Sequence, residues 1–367
     1  MNKKIRVNML SMADSVDGQG VGSAYLELIK LLKEDGKDSF EIQINSNVKN
    51  CDIVHSHTVE PRNYFKMKKA KVPTVAYVHF LPDTLDGSIK LPSFAFKIFE
   101  KYVIKFYKKA DHLVVVNPIF KKDMVKAGLD EEKITYIPNF VSKEKFYKMS
   151  KKDIIKARGK YGIKDDKFVV LGAGQVQNRK GVLDFVEVAK MLPEIDFVWA
   201  GGFSFGAITD GHKELQKIME NPPKNVRFLG IIPRDEMNEL FNACDLLFVP
   251  SYNELFPMTI LEACSTDTPI LLRNLELYED ILFKKYLSAG NNDEFKELIK
   301  RLSIDKNLYK EAVKNSIYIS KYYSKDNVYK CFLQMILWES YHIYQSLYLL
   351  VNEVRVQTLF SFSLPHT

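Results

Sequence analysis

At 367 residues, with 46% hydrophobic and 27% charged side chains, the chain has a globular composition and enough length for two domains that each bury a core. Its four cysteines, Cys51, Cys244, Cys264 and Cys331, lie far apart with no C-x-x-C spacing, which argues against a disulfide framework or a cysteine zinc site and suits a reducing compartment. The net charge of +7 is uneven: residues 1–160 carry 30 Lys+Arg against 19 Asp+Glu, and the rest 23 against 27. That suits the first half to an anionic partner, or to plain solvation by lysine.

The N-terminus runs into a strand-like segment without an apolar h-region, so no signal peptide is expected. Short apolar runs then predict strands at Ile5–Leu10, Phe40–Ser46, Asp52–Thr58, Thr74–Phe80, His112–Asn117 and Ile134–Pro138. Helical spacing falls between them at Ser23–Lys33, Ser93–Lys109 and Phe120–Ala127. Around Ser142–Lys167 the pattern gives way to a lysine-rich connector with Gly159 and Gly162. It restarts with strands at Phe168–Gly172, Asp196–Ala200, Val226–Leu229, Asp245–Pro250 and Pro269–Leu272. Such alternation predicts an α/β fold with two doubly wound parallel sheets facing a cleft, the ligand sitting near the carboxyl ends of the strands. The expected division is a first domain over 1–165, a second over 166–320, a helical segment over 321–351 and a tail over 352–367. Glu339, His342 and Gln345 interrupt the apolar run Cys331–Val351, so a membrane-spanning helix is not expected.

Gly18-Gln19-Gly20-Val21-Gly22-Ser23 follows the first strand and opens a helix, where glycines let the backbone approach a phosphate or sugar. The spacing is not the dinucleotide G-x-G-x-x-G, and on its own an ordinary Gly-rich turn fits as well. In the second half, the loop from Gly172 to Gly181 brings Arg179 and Lys180 to a helix start, an arrangement suited to a diphosphate or to a solvated basic pair. Glu254 lies in the loop after a strand, and Glu262 lies two turns later between Leu261 and Ala263. A carboxylate among apolar neighbours is costly unless hydrogen-bonded, and ligand hydroxyls would supply such bonds; a surface Glu is the alternative.

Glu254 and Glu262, with seven residues between, resemble the E-x7-E signature of retaining glycosyltransferases of family 4, which have the GT-B fold of two Rossmann-like domains. The early glycine loop, His79 in Tyr77-Val78-His79-Phe80, Ile137-Pro138-Asn139, Lys180-Gly181, Ala200-Gly201-Gly202 and Val249-Pro250-Ser251 match in family order over roughly residues 5–320. The stretches Gly174–Asp184, Trp199–Gly211, Asn221–Gly230 and Pro250–Ala263 are most similar to Gram-positive enzymes that add a second hexose to glucosyl-diacylglycerol in making the lipoteichoic acid anchor. The resemblance implies a UDP-sugar donor whose diphosphate binds Lys180, helped by Arg179. It implies that Glu254 and the backbone at Phe256 hold the sugar, that Glu262 holds the ribose, and that Gly20 and Gly22 face the phosphate. His79 would sit near the anomeric centre, with a structural histidine as the alternative. Two positions depart from the family pattern. Gln175 stands where an Arg is common, and Pro257, which lacks an N–H, stands where a Gly is common. No Asp-x-Asp motif stands out in the donor half, so no metal is required.

Along Phe94–Lys109, Lys97, Lys101, Lys105 and Lys108 form one stripe among Phe and Tyr, with Lys109 beside it. That suits an interfacial helix on anionic lipid, or a core helix with a solvated basic face. Arg62, Lys66, Lys68, Lys69 and Lys71 make a second basic cluster. A glycolipid acceptor such as α-glucosyl-diacylglycerol, presented at the inner face of the cell membrane to a peripheral cytoplasmic enzyme, is the expectation. Diacylglycerol itself or a polysaccharide is the alternative acceptor. A nucleotide-sugar 2-epimerase would need added acid–base residues, and no helix-turn-helix, zinc or RNA-binding motif supports nucleic-acid binding.

Overall fold

The computed structural model describes residues 4–12, 20–79, 81, 93–203, 211–254 and 256–336. The first half runs β1 (Ile5–Leu10), α1 (Gly20–Glu34), β2 (Phe40–Ile44), β3 (Ile53–Ser56), α2 (Pro61–Lys69), β4 (Thr74–Val78), α3 (Ser93–Lys109), β5 (His112–Val115), α4 (Pro118–Lys126) and β6 (Ile134–Tyr136). The helix α5 (Lys151–Lys160) follows. The second half has β7 (Val169–Ala173), α6 (Val182–Met191), β8 (Asp196–Ala200), α7 (His212–Glu220), β9 (Val226–Gly230), α8 (Met237–Ala243) and β10 (Leu246–Val249). It continues with α9 (Met258–Ser265), β11 (Ile270–Arg273), α10 (Leu277–Leu282), β12 (Leu287–Ala289), α11 (Asn292–Ile304) and α12 (Lys306–Tyr322). Each half folds a six-stranded sheet, in the orders β2-β1-β3-β4-β5-β6 and β12-β11-β10-β7-β8-β9. All pairings are parallel.

The inner strands read as uninterrupted apolar runs because both faces of a parallel sheet are covered by helices. Every residue of β4, β7, β10 and β11 is buried, whereas the edge strands β2 and β9 are mostly half-exposed. Helix starts follow local chemistry. Asn117 caps α4 ahead of Pro118, Ser150 caps α5 through the Asp153 amide, and Asp305 caps α12 through the amides of Asn307 and Leu308.

Three elements depart from the sequence expectation. The lysine-rich connector contains α5, whose sequence shows little apolar periodicity because its anchor is polar. The buried Arg158 donates to the carbonyls of Ala243, Lys164 and Lys167. The cluster Arg62–Lys69 is the helix α2, with Pro61 in its first turn. The sixth strand of the second sheet, β12, has only three residues and lacks an apolar run. The helical segment expected over 321–351 begins in the last residues of α12, which ends at Tyr322, and is helical again from 325 to 336; residues 337–367 lie outside the described residues.

The halves are strapped together by the segment between them. Lys143 donates to the Ser265 carbonyl, and the amides of Tyr147 and Met149 donate to Asn238 and Asn242. The helix over 325–336 packs against the first half: Lys325 pairs with Asp35, and the Phe332 ring lies 5.9 Å from that of Phe40 and 5.5 Å from that of His55.

The second sheet brings its loops together on glycine. Gly201 has φ +146°, and a Cβ there would lie 1.8 Å from the Gly174 carbonyl oxygen. Gly201→Ala is therefore expected to cost about 2–4 kcal/mol, read as a lower denaturation midpoint in urea. Gly159→Ala, within α5 where a Cβ meets nothing within 4 Å, should leave the midpoint in place or raise it slightly through helix propensity.

Candidate active site

The loops after β7 and β10 meet at the carboxyl edge of the second sheet. After β7 the chain makes a short 3-10 turn, Asn178–Lys180, and passes through Gly181 at φ 67° into α6. Only glycine fits there, since a Cβ would lie 2.4 Å from the Pro250 carbonyl oxygen. This close approach carries Lys180 to the loop after β10, where its ammonium hydrogen-bonds the Glu254 carboxylate directly. The two side chains are only 14% and 6% exposed. Burial by itself would raise the Glu254 carboxyl, but Lys180, Arg179 and a hydrogen bond from Ser251 bring it below the ordinary carboxylate range. Burial lowers the Lys180 ammonium, with Glu254 opposing. Lys180 and Glu254 are thus one ionised buried pair, and the solvated basic pair is set aside.

Arg179 braces the loop instead. It donates to Gln177 Oε1 at 3.0 Å and to the Asn253 carbonyl at 3.2 Å, and its own carbonyl accepts from the Tyr252 amide at 2.8 Å. Phe256 is buried with its ring 5.2 Å from that of Tyr323, so only its backbone is available to a ligand. Glu262, in α9, is 3% exposed rather than a surface residue, and its Oε1 accepts from Arg234 at 2.7 Å. Arg234, which sequence reasoning passed over, also lies 3.6 Å from Glu27 of α1.

From the first half, Gly20 and Gly22 lie in the first turn of α1 rather than in a loop ahead of it, while Gly18 and Gln19 lie outside the described residues. Amides of a first turn have no intrahelical acceptor and remain available to an anion. His79 follows β4 and is 5% exposed. It heads a buried chain: its Nε2 lies 3.2 Å from His57 Nδ1, and His57 Nε2 lies 2.9 Å from His55 Nδ1. Burial lowers His79 to about 4 and His55 to about 3, and carries His57 in the same direction, so all three are neutral at pH 7. His57 and His79 share a small cleft with Tyr77, Pro138, Asn139 and Val328. The His-x-His pair on and after β3 was present in the sequence, but without periodicity or spacing to single it out.

In the first half, Lys97, Lys101, Lys105 and Lys108 are all exposed along α3, and Val103, Phe106 and Tyr107 of the same helix are buried. Phe94 and Ile98 stand 70% and 65% exposed beside the lysines. Helix α2 lies alongside, its Tyr64 ring 6.5 Å from that of Tyr102, with Phe65 exposed among its basic residues. Among the described residues no helix is long and apolar enough to cross a membrane, and no three His, Cys, Asp or Glu side chains are placed to hold a metal ion.

Two parallel Rossmann-like sheets, joined by a strap and a returning helix with a buried Lys–Glu pair at the carboxyl edge of the second, make the GT-B fold. The chain belongs to the family 4 glycosyltransferases: the model of "Glycosyltransferase Family 4" matches residues 19–145, and that of "Glycosyl transferases group 1" matches residues 153–317. It is 46% identical over 333 residues to the alpha-galactosylglucosyldiacylglycerol synthase of Streptococcus pneumoniae (strain ATCC BAA-255 / R6), covering 90% of this chain and 89% of that protein. It is 26% identical over 287 residues to the processive diacylglycerol alpha-glucosyltransferase of Acholeplasma laidlawii, covering 77% and 83%. Among solved structures, Anabaena HepE in complex with UDP and glucose superposes with a TM-score of 0.74 at 18% identity, covering 90% of this chain and 99% of that one.

The buried pair makes a stability prediction. In the intact protein the lowered Glu254 carboxyl contributes stability that is present above the ordinary carboxylate range and lost as pH falls through its folded pKa. Lys180→Met leaves that carboxylate buried without its cation and should cost about 3–5 kcal/mol at neutral pH. The deficit should shrink toward pH 4–5, as a carboxyl now raised by burial takes up its proton. The double variant Lys180→Met/Glu254→Gln should recover most of the loss in urea denaturation. Additive losses would contradict the pairing.

Proposed function

We propose that this enzyme transfers a hexose, galactose in preference to glucose, from a UDP-sugar to a membrane glycolipid such as α-glucosyl-diacylglycerol, with retention at the anomeric carbon. The observation that carries the reading is the 46% identity along nine-tenths of the chain to a protein named as an alpha-galactosylglucosyldiacylglycerol synthase. The buried carboxylates at Glu254 and Glu262 and the cation at Lys180 support it with suitable chemistry. In this reading the ribose hydroxyls donate to Glu262, and Glu254 takes the hydroxyls of the transferred hexose beside the Phe256 backbone. The diphosphate lies against Lys180, the start of α6 and the first turn of α1 at Gly20 and Gly22, with Arg179 shaping the loop. His79 lines the sugar side of the cleft.

The step is a front-face displacement. The bond from the anomeric carbon to the diphosphate oxygen breaks as the acceptor hydroxyl oxygen bonds to the same face of that carbon, and the leaving diphosphate oxygen takes the hydroxyl proton. Negative charge gathers on the leaving group, so Lys180 and helix N–H groups fixed in place contribute most to lowering the barrier. No metal is assigned a part. The donor enters by opening the Lys180–Glu254 pair, sending the ammonium to phosphate and the carboxylate to sugar.

The acceptor is proposed to arrive from the inner face of the cell membrane, on which α3 rests. Exposed Phe94 and Ile98 beside four exposed lysines support an interfacial helix, each cation near an anionic surface contributing roughly 1 kcal/mol.

Purified protein, assayed in EDTA with UDP-galactose and UDP-glucose against diacylglycerol, glucosyl-diacylglycerol and a free disaccharide, is expected to glycosylate glucosyl-diacylglycerol. Transfer only to the free sugar, or free interconversion of the donor, would overturn the lipid reading, and dependence on added divalent metal would overturn the metal-free one. Lys180→Ala should lower turnover about 10²- to 10³-fold.

Replacing Lys97, Lys101, Lys105 and Lys108 by Gln should weaken sedimentation with anionic vesicles while UDP affinity is unchanged, and raised salt should mimic the substitution. Equal binding of the parent protein to neutral and anionic vesicles would count against the electrostatic docking.

A further inference from the structure

Two buried carboxylates from opposite halves of the molecule share one guanidinium. Glu27 of α1 and Glu262 of α9 are 2% and 3% exposed, and these two helices pack against each other. Arg234, in the loop between β9 and α8, places its NH1 2.7 Å from Glu262 Oε1 and its NH2 3.6 Å from Glu27 Oε1. The guanidinium lies over the Phe146 ring, 5.4 Å from the centroid, and the side chain remains 32% exposed. Lys145 donates to Glu27 Oε1 at 2.8 Å, while Glu27 Oε2 is buried without a hydrogen-bond partner among the described residues. Among the described residues, the charged groups facing Glu262 are Arg234 from the second half and Glu27 from the first, itself held by Lys145.

We infer that Arg234 is a positioning residue for nucleotide recognition: its guanidinium fixes the Glu262 carboxylate in one rotamer for the ribose hydroxyls and offsets the like charge of Glu27. The inference rests on the reading of Glu262 as the ribose-binding carboxylate. Vicinal hydroxyls are donors, and a carboxylate accepts from both, whereas a protonated carboxyl is a weaker acceptor and turns one oxygen into a donor. Burial raises the Glu262 carboxyl above the ordinary carboxylate range, Arg234 works against that rise, and Glu27 adds to it. Removing Arg234 would leave two like charges buried side by side, and the cheapest relief is a proton on Glu262. Arg234 also ties the ribose carboxylate to α1, the helix whose first turn holds Gly20 and Gly22. Nucleotide recognition in one half is thereby linked to the phosphate-facing turn of the other.

Calorimetric titration with UDP tests this in the full-length chain, each variant compared with the parent at pH 6, 7 and 8 so that protonation of UDP itself cancels. Arg234→Met is expected to weaken UDP binding tenfold or more at pH 7, as loss of a charge-assisted partner would. The ratio to the parent should worsen toward pH 6, as the uncompensated carboxyl takes up its proton. Adding Glu27→Gln to Arg234→Met should recover at least threefold by removing the opposing charge, and Arg234→Lys should bind between the parent and Arg234→Met. A merely structural arginine predicts neither the pH trend nor recovery from losing a second partner. Parent-like UDP binding by Arg234→Met at every pH, or a double variant no better than the single at equal melting temperature, would overturn the inference. Should Arg234→Met not fold, Glu27→Gln alone decides: parent-like or tighter UDP binding is expected, and a tenfold loss would overturn it. Glu262→Gln separates the two layers. If it binds UDP as the parent does, the ribose reading fails; if it loses affinity while Arg234→Met does not, only the role of Arg234 fails.

Discussion

Glu254 and Glu262 are buried carboxylates at one edge of one sheet, and an ion taken out of water without a partner costs several kcal/mol. Much of the local architecture is the delivery of a cation to each. Lys180 reaches Glu254 because Gly181 lets the loop after β7 press against Pro250, a contact that any side chain would block. Arg234, from the loop after β9, reaches Glu262 with its guanidinium lying over the Phe146 ring of the strap between the halves. The partners differ in kind. An ammonium suits the point charge of a phosphate that can replace the carboxylate, whereas a guanidinium holds two carboxylates at once through a planar fork.

That arrangement also explains why the two halves are fastened as they are. The strap from Phe140 to Met149 packs the Phe146 ring against Phe241 of the second half and supplies Lys145 to Glu27. The helix over 325–336 crosses back to lie on Phe40 and His55. Together they bring α1 against α9, so that a guanidinium rooted in one half spans carboxylates from both. In the first half the corresponding buried polar structure is the neutral chain His55–His57–His79, which burial keeps uncharged and which therefore needs no counter-ion.

Much of the fold was legible because parallel strands covered on both faces announce themselves as apolar runs; β1 and α3 have the bounds read from sequence. What was missed has physical reasons. Helix α5 is held by the hydrogen bonds of Arg158 rather than by an apolar stripe, β12 is too short to show a period, and α2 reads as charge because its lysines outnumber its buried residues, Asn63 and Met67. At the site, Glu254 and Glu262 were legible from spacing, since a carboxylate amid Leu261 and Ala263 has to be satisfied by something. Arg234 was not, because Arg-Asp-Glu in a turn looks like solvated polarity, and Glu27 looks like any polar position on an amphipathic helix. Arg179, read beside Lys180 as a helper cation for a diphosphate, donates to Gln177 and to the Asn253 carbonyl, partners that its place in the sequence does not announce. Sequence spacing carries the two carboxylates, and says little about partners that converge from distant loops.

The central claim is that the Lys180–Glu254 pair is a closed donor site, opened by the substrate that replaces each partner. A crystal structure of the protein with its UDP-hexose bound tests it most directly. The account predicts Lys180 Nζ on a diphosphate oxygen and out of hydrogen-bonding reach of Glu254, the Glu254 carboxylate on hexose hydroxyls and the ribose on Glu262. A bound donor with the Lys180–Glu254 pair still closed, or with its diphosphate away from Lys180, would contradict it.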